Sequence, residues 1–323
     1  MTALQLVPTA RLADRRTFLA LLIIVVGVVM SLLSPYFLRI DNVLSMTQYS
    51  AMIGLLALGQ TLVILTGGGS IDLSVGSTLS LSGVVFGLLA ADAGINPWVA
   101  ALVAILAGAA LGGVNAVLVT VLRIPALIAT LGTLYLYSSA ALVLSDGVDI
   151  NGFDRAGFDQ LGQTAILGVP TQVLLVLIPA YLLAGFMMAR TRLGREVYEV
   201  GSNAAAAELA GVRVRRVRAT MFCLSGALAG VGAVVTASWL LTAKTTAGQD
   251  AELQAITIAV LGGTAITGGI GRVSGTFLGL VLVVVLNAGL QLAGVGNTWQ
   301  IGVLGLVLVA SVVLNNVFKA DGR

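Results

Sequence analysis
The chain has 323 residues, 58% of them hydrophobic and only 10% charged, with a net charge of +3 and a mean hydropathy of +1.04. A soluble domain is nearer one quarter charged, so this composition leaves too little polar surface to face water and specifies a polytopic membrane protein. It contains no histidine and one cysteine, Cys223, which excludes His-based catalysis, most transition-metal sites and an intramolecular disulfide.

About 20 apolar residues cross a bilayer. Such runs occur near 18–37, 47–66, 74–91, 98–122, 126–145, 169–189, 219–241, 252–267, 274–293 and 298–318. That predicts ten spans, within a range of nine to eleven, because the third and eighth are short and Gly-interrupted. The first run follows "ARLADRR", and no A-x-A-like site comes after it. It reads as an uncleaved first span.

"TGGGSIDLSVGS" (Thr66–Ser77) separates the second and third runs. Three glycines end a helix, and Asp72 and Ser74 can cap the next one by accepting backbone N–H bonds. Gly67, Gly68, Asp72, Ser74 and Gly76 therefore belong either to a cytoplasmic turn or to a broken, re-entrant helix whose backbone lines a cavity. "TGGIGRVSGT" (Thr267–Thr276), with Gly268 and Gly269, repeats the T-G-G pattern before the ninth run. Transporters are often built from two related halves, and these breaks read as a faint internal repeat. Five G-x-x-x-G pairs occur, about the number expected by chance, so no dimer motif is inferred.

The spans hold no Asp, Glu, Lys or Arg in their central parts. Ion-driven carriers usually keep such a group at membrane depth. The neutral polar residues, including Gln60, Asn115, Thr130, Thr133, Ser138, Thr257, Asn287 and Gln291, either line a path for an uncharged, hydroxyl-rich solute or bond between helices. No G-x-x-x-x-G-K-[ST] loop is present, so any pumping energy comes from another subunit.

Seven of the 17 Lys and Arg residues fall in 190–218: Arg190, Arg192, Arg195, Arg213, Arg215, Arg216 and Arg218. Each central Arg costs roughly 2.5–3.5 kcal/mol on insertion, so this stretch stays out of lipid. With the N-terminus inside and ten alternating spans, 14 basic residues lie inside and three (Arg39, Arg155, Lys244) outside. Both termini are then cytoplasmic. Within the stretch, "AAAAELAG" (Ala204–Gly211) predicts a two-turn helix, capped by Ser202 or Asn203 and ended by Gly211. It is either a docking element for a soluble partner or part of a solvated loop.

"VYEVGSNAAAAELAGVRVRRV" (Val197–Val217) resembles the cytoplasmic loop of ribose-type ABC transporter permeases. "LGQTLVILTGGGSIDLSVGS" (Leu58–Ser77) resembles the family's G-Q-x-x-V-I-x-x-G-G-I-D-L-S-V-G block, with an inserted Gly-Ser pair. "GGTAITGGIGRVSGTFLG" (Gly262–Gly279) resembles a third block. The blocks stand in family order, and the resemblance covers nearly the whole chain. It implies an all-α, ten-helix importer fold of the vitamin B12 permease type (type II). It also implies one permease domain over 1–323 in a bacterial cytoplasmic (inner) membrane.

The implied partners are a cytoplasmic ABC ATPase, an extracytoplasmic solute-binding protein and a second permease copy or paralogue. The ATPase is expected to grip a coupling helix formed by Gly201, Ser202, Asn203, Ala204, Ala205, Ala206, Ala207, Glu208, Leu209, Ala210 and Gly211. The 146–168 loop and the 242–252 segment are expected to meet the binding protein. Translocation or gating is expected at Gly67, Gly68, Asp72, Ser74, Gly76, Asn115, Thr133, Gly268, Gly269 and Asn287. No catalytic residue, metal, cofactor or nucleic acid is expected. Family solutes are mostly sugars and related polyols. Competing readings are a permease for branched amino acids or nucleosides, an autonomous channel or secondary carrier, and a membrane enzyme.

Overall fold
In lipid a spanning segment must satisfy its own backbone groups, and the apolar runs do so as helices. The computed structural model describes residues 15–296 and parts of 299–309. In chain order its helices are α1 (Arg15–Leu33), α2 (Ile40–Leu65), α3 (Val75–Gly87), α4 (Pro97–Thr120), α5 (Ala126–Leu144), α6 (Asp159–Gln163), α7 (Ile178–Arg190), α8 (Arg192–Ser202), α9 (Ala204–Leu209), α10 (Val214–Leu240), α11 (Ala251–Leu261) and α12 (Val273–Leu292). Short π-helical stretches continue α3 through Asp92 and lead into α7 from Val173. The fold is otherwise helical, with one short hairpin pairing Ala165–Ile166 with Val169–Pro170 among the described residues.

Among the described residues, seven helical stretches are long and apolar enough to cross a membrane: Ile40–Leu65, Val75–Asp92, Pro97–Thr120, Ala126–Leu144, Val173–Arg190, Val214–Leu240 and Val273–Leu292. Leu19–Leu33 and Ala251–Leu261 are shorter apolar helices. The tenth run, 298–318, lies mainly outside the described residues.

α2 is apolar on all sides and buried continuously from Ser50 to Leu65, as a central helix must be. α4, α5 and α7 instead expose large apolar side chains such as Leu106, Leu136 and Leu183, the surface expected of helices that face lipid. α4 and α10 cross at closest range. A Cβ on Gly230 would lie 2.8 Å from the Ile105 backbone, and one on Gly108 would lie 3.0 Å from the Gly230 backbone. Two of the five G-x-x-x-G pairs, Gly108/Gly112 and Gly226/Gly230, therefore form this intramolecular crossing.

The eighth predicted span is corrected. Only Ala251–Leu261 is helical, because Gly262 and Gly263 end the helix although the apolar run continues. Eleven residues rise about 16 Å, half a bilayer. The other half is the preceding chain. Gly87 near the end of α3 faces Ala243, whereas Gly76 at its start faces Gly248, and Ser80 Oγ accepts the Gly248 N–H at 3.0 Å. The 243–250 segment thus descends along α3, with Ala243, Thr245 and Gly248 buried against the body and Lys244, Thr246, Gln249 and Asp250 exposed.

The 146–168 loop is fixed to the body. Phe153 and Phe158 are fully buried and pack with Phe86, with ring centroids 4.9 and 4.8 Å away. Trp98 Nε1 donates to Ala156 O at 3.1 Å, and Arg155 caps the Ala90 carbonyl. Ile150 pairs with Ala243, and Asp149 Oδ1 accepts the Thr245 N–H at 3.1 Å. This joins the loop to the start of the descending segment.

Candidate coupling site
α9 is two turns long. Asn203, not Ser202, caps it: its Oδ1 accepts the Ala206 N–H at 3.0 Å. Gly211 ends the turn at φ +86°, a conformation that costs glycine least. Only Ala207 of the helix is buried. Ala205, Ala206, Glu208 and Ala210 are exposed, and Leu209 is 92% exposed. Around it Arg190, Arg192, Arg195, Arg213, Arg215 and Arg216 are exposed. Among the described residues, Arg192 alone of these has an ion pair, to Glu196 at 2.7 Å.

α8 carries α9 into the body. Its apolar side, Val197 and Val200, is buried. Tyr198 donates to Gly271 O at 3.0 Å. Burial raises the Tyr198 hydroxyl above its ordinary pKa, partly opposed by the charge of Arg272. The last turn of α8 meets both Gly-rich breaks. A Cβ on Gly67 would lie 2.7 Å from Gly201 O, and one on Gly201 would lie 2.5 Å from Gly269 N. A Cβ on Gly268 would lie 2.5 Å from Gly67 N. Gly269 N–H donates to Leu65 O at 3.1 Å, and Thr61 and Thr276 share a hydroxyl bond of 2.8 Å. Backbone meets backbone where Gly67, Gly201 and Gly268 converge, so movement of α8 reaches the 66–74 break and the 262–272 break directly. Arg218 lies over Gly68, with its Nε buried and unpartnered among the described residues.

Asp72 is 1% exposed. Its Oδ1 accepts from Ser74 N at 3.0 Å and Ser74 Oγ at 2.7 Å, and its Oδ2 from Ser225 Oγ at 3.3 Å. Asn115 Nδ2 donates to Ser74 Oγ at 2.7 Å, and Thr133 Oγ1 donates to Asn115 Oδ1 at 2.7 Å. Thr130 Oγ1 donates to Ile71 O at 3.1 Å. With its amide oriented so that both ends pair, Gln60 donates to Asp72 O at 3.1 Å and accepts from Asp72 N at 3.2 Å.

Asp72 thereby ties α2, α4, α5 and α10 to the first break. Asn115 stands five residues, about 7–8 Å, inside the end of α4. Within the 66–74 segment Thr66, Gly67, Ser70, Asp72 and Ser74 are buried, whereas Gly68 and Gly69 are exposed. The Asp72 carboxylate meets only neutral donors.

The predicted positions thus form two groups. Gly67, Gly201, Gly268 and Gly269 meet at the base of α9, with Gly68 under Arg218. Asp72, Ser74, Asn115 and Thr133 form the buried network. Gly76 stands apart against Gly248, and Asn287 lies on α12 in a cavity that Tyr49 and Gln254 also line. Sequence reasoning missed the descending 243–250 segment and the role of Ser225. Gly248 and Ser80 are the only signals of the descent, and neither is distinctive alone.

A family model described as the permease component of the branched-chain amino acid transport system matches residues 42–312. The chain is 38% identical over 312 residues to the ribose import permease protein of Escherichia coli K12, covering 95% of each chain. It is 38% identical over 300 residues to that of Bacillus subtilis 168, covering 92% of this chain and 91% of the relative. It is 35% identical over 300 residues to the D-allose transport system permease protein of Escherichia coli K12, covering 93% and 90%. No solved structure matches. With these relatives spanning almost its entire length, the chain belongs to the ribose-type ABC transporter permease family.

Proposed function
We propose that this chain is the membrane-spanning subunit of an ATP-binding cassette importer that moves a sugar or sugar-like solute inward. One observation carries the reading. A short helix, seated on the body through Ala204 and Ala207, presents Leu209 outward among exposed arginines while its base touches both helix breaks. A bare apolar side chain in a basic ring suits an ATPase groove with acidic edges. Closure of two ATPase subunits pushes α9. Gly201 then displaces the 66–74 and 262–272 breaks together, and the helices of the Asp72 network tilt. Binding energy on one side of the membrane is so converted into a change of access on the other.

The finer architecture follows the same reading. Ten spans of the type II fold place both termini in the cytoplasm, with 1–323 as one permease domain and 190–218 as its coupling loop. The permease pairs with a second copy or paralogue. The 146–168 loop, with Asp146, Asp149 and Asp154 exposed, offers a rigid acidic platform to an extracytoplasmic solute-binding protein. Only 242–245 of the descending segment shares that face. A sugar is favoured by the ribose and D-allose permeases among the relatives. The family description gives a second reading, a branched amino acid.

The test is uptake into proteoliposomes by the permease alone and with its ATPase and binding protein. D-ribose, D-allose and L-leucine serve as solutes. Accumulation of a sugar only in the complete set with ATP is expected. Accumulation by the lone chain from an ion gradient would contradict the importer reading, and accumulation of leucine alone would replace the sugar.

A further inference from the structure
A cavity of about 630 Å³ opens between the outer ends of α2, α10, α11 and α12, within the roughly 300–1,000 Å³ of small-molecule sites. Among the described residues no charged side chain lines it. Its walls carry Asn42, Tyr49, Trp239, Gln254, Asn287 and Gln291. A lipid-facing cleft would be apolar, because unpaired amides in hydrocarbon are costly.

Two features mark the cavity as built for a ligand. Asn287 Oδ1 is buried without a partner among the described residues, an arrangement that costs stability unless something donates to it. Tyr49 donates to Gln254 Oε1 at 2.7 Å, which fixes the amide plane and leaves Gln254 Nε2 as a donor. Gln254 stands in the first turn of α11, the half-length helix that begins at depth after the descending segment. Asn287 stands five residues, about 7–8 Å, inside the end of α12. The cavity mouth adjoins the outer platform, because Gln163 of that loop donates to Trp239 O at 3.3 Å.

We infer that this cavity is a solute subsite on the translocation path, for a neutral polyhydroxylated ring of monosaccharide size. Planar amides donate and accept at once, which matches neighbouring hydroxyls. The Trp239 and Tyr49 rings offer apolar surface to the C–H face of such a ring. A cationic or anionic solute finds no counter-charge here. The inference rests on the importer reading and adds to it the place where the solute pauses inside the permease.

The test uses the complete importer in proteoliposomes with D-ribose, D-allose and L-leucine as probes. Asn287→Leu removes the buried acceptor at similar volume. Ser45→Trp, at an exposed position on the rim, fills the mouth without touching the core. Asn287→Leu is expected to lower sugar uptake roughly tenfold, the loss of a hydrogen bond that leaves a partner unpaired, and Ser45→Trp to lower it at least as far by blocking the mouth. ATP hydrolysis stimulated by the loaded binding protein is expected to stay near wild type. Wild-type sugar uptake in both variants would overturn the subsite and leave the sugar importer standing. Wild-type import of leucine alone would overturn the solute assigned here together with the sugar reading. Loss of both uptake and stimulated hydrolysis in both variants would also overturn it, since that marks a structural role.

Discussion

Asp72 is a carboxylate in a protein interior whose only visible partners are hydroxyls, amides and backbone. Asp72→Ala leaves the Ser74 and Ser225 hydroxyls without their acceptor and loosens the link through Asn115 to Thr133. With the Ser74 N–H, three buried donors lose their acceptor, at a cost of about 1–3 kcal/mol each. Thermal unfolding in detergent should show that loss, with Asp72→Asn, which keeps one acceptor, losing less. Equal stability of wild type and Asp72→Ala would remove the network from the account.

The sequence pattern around Asp72 supports a cap and leaves open whether the break is solvated. Its burial is decided by Asn115, Thr133 and Ser225, which lie from 43 to 153 positions away in the chain, and no local pattern carries that information. At the other node, Gly201→Ala puts a methyl 2.5 Å from Gly269 N. Transport should fall sharply while insertion persists. Gly185→Ala, where a Cβ meets nothing within 4 Å, should be neutral. A normal transport rate in Gly201→Ala would show that the contact transmits nothing.

Among the elements, α9 was the most legible, since its cap, its length and its terminal glycine are local chemistry. Its exposure was not, because the same letters suit a solvated loop. Ala206→Glu puts a carboxylate on the exposed side of α9. It should leave folding and ATPase-subunit hydrolysis intact and uncouple hydrolysis from uptake. Coupled transport at the wild-type ratio would argue against α9 as the contact. High salt should weaken ATPase retention on the purified permease, because the basic surface is exposed and screening shortens its reach to about 3 Å at 1 M. Retention independent of salt would point to an apolar contact alone. α11 was the least legible element. Hydropathy continues through "AVLGGTAIT", but Gly262 and Gly263 stop the helix, and the missing half is supplied by 243–250. The G-x-x-x-G pairs were equally opaque, since chance frequency hides which pairs face a partner helix.

For the whole molecule, the partition of basic residues anticipates alternating sides, and the structure brings Ile150 to Ala243 and Gly67 to Gly268 in keeping with it. Charge reports sides and not depth, so it could not show that two breaks enter the helical body. On the proposed reading these parts form one device, a permease without an engine that a cytoplasmic motor works through α9. The most direct test places a single cysteine on that helix. Cys223, the chain's only cysteine and half-buried, is replaced by alanine, and Leu209→Cys is added. A membrane-impermeant maleimide should label this position only from the cytoplasmic face, and binding of the ATPase subunit should shield it. Labelling from the outer face, or undiminished labelling with the ATPase bound, would contradict the account.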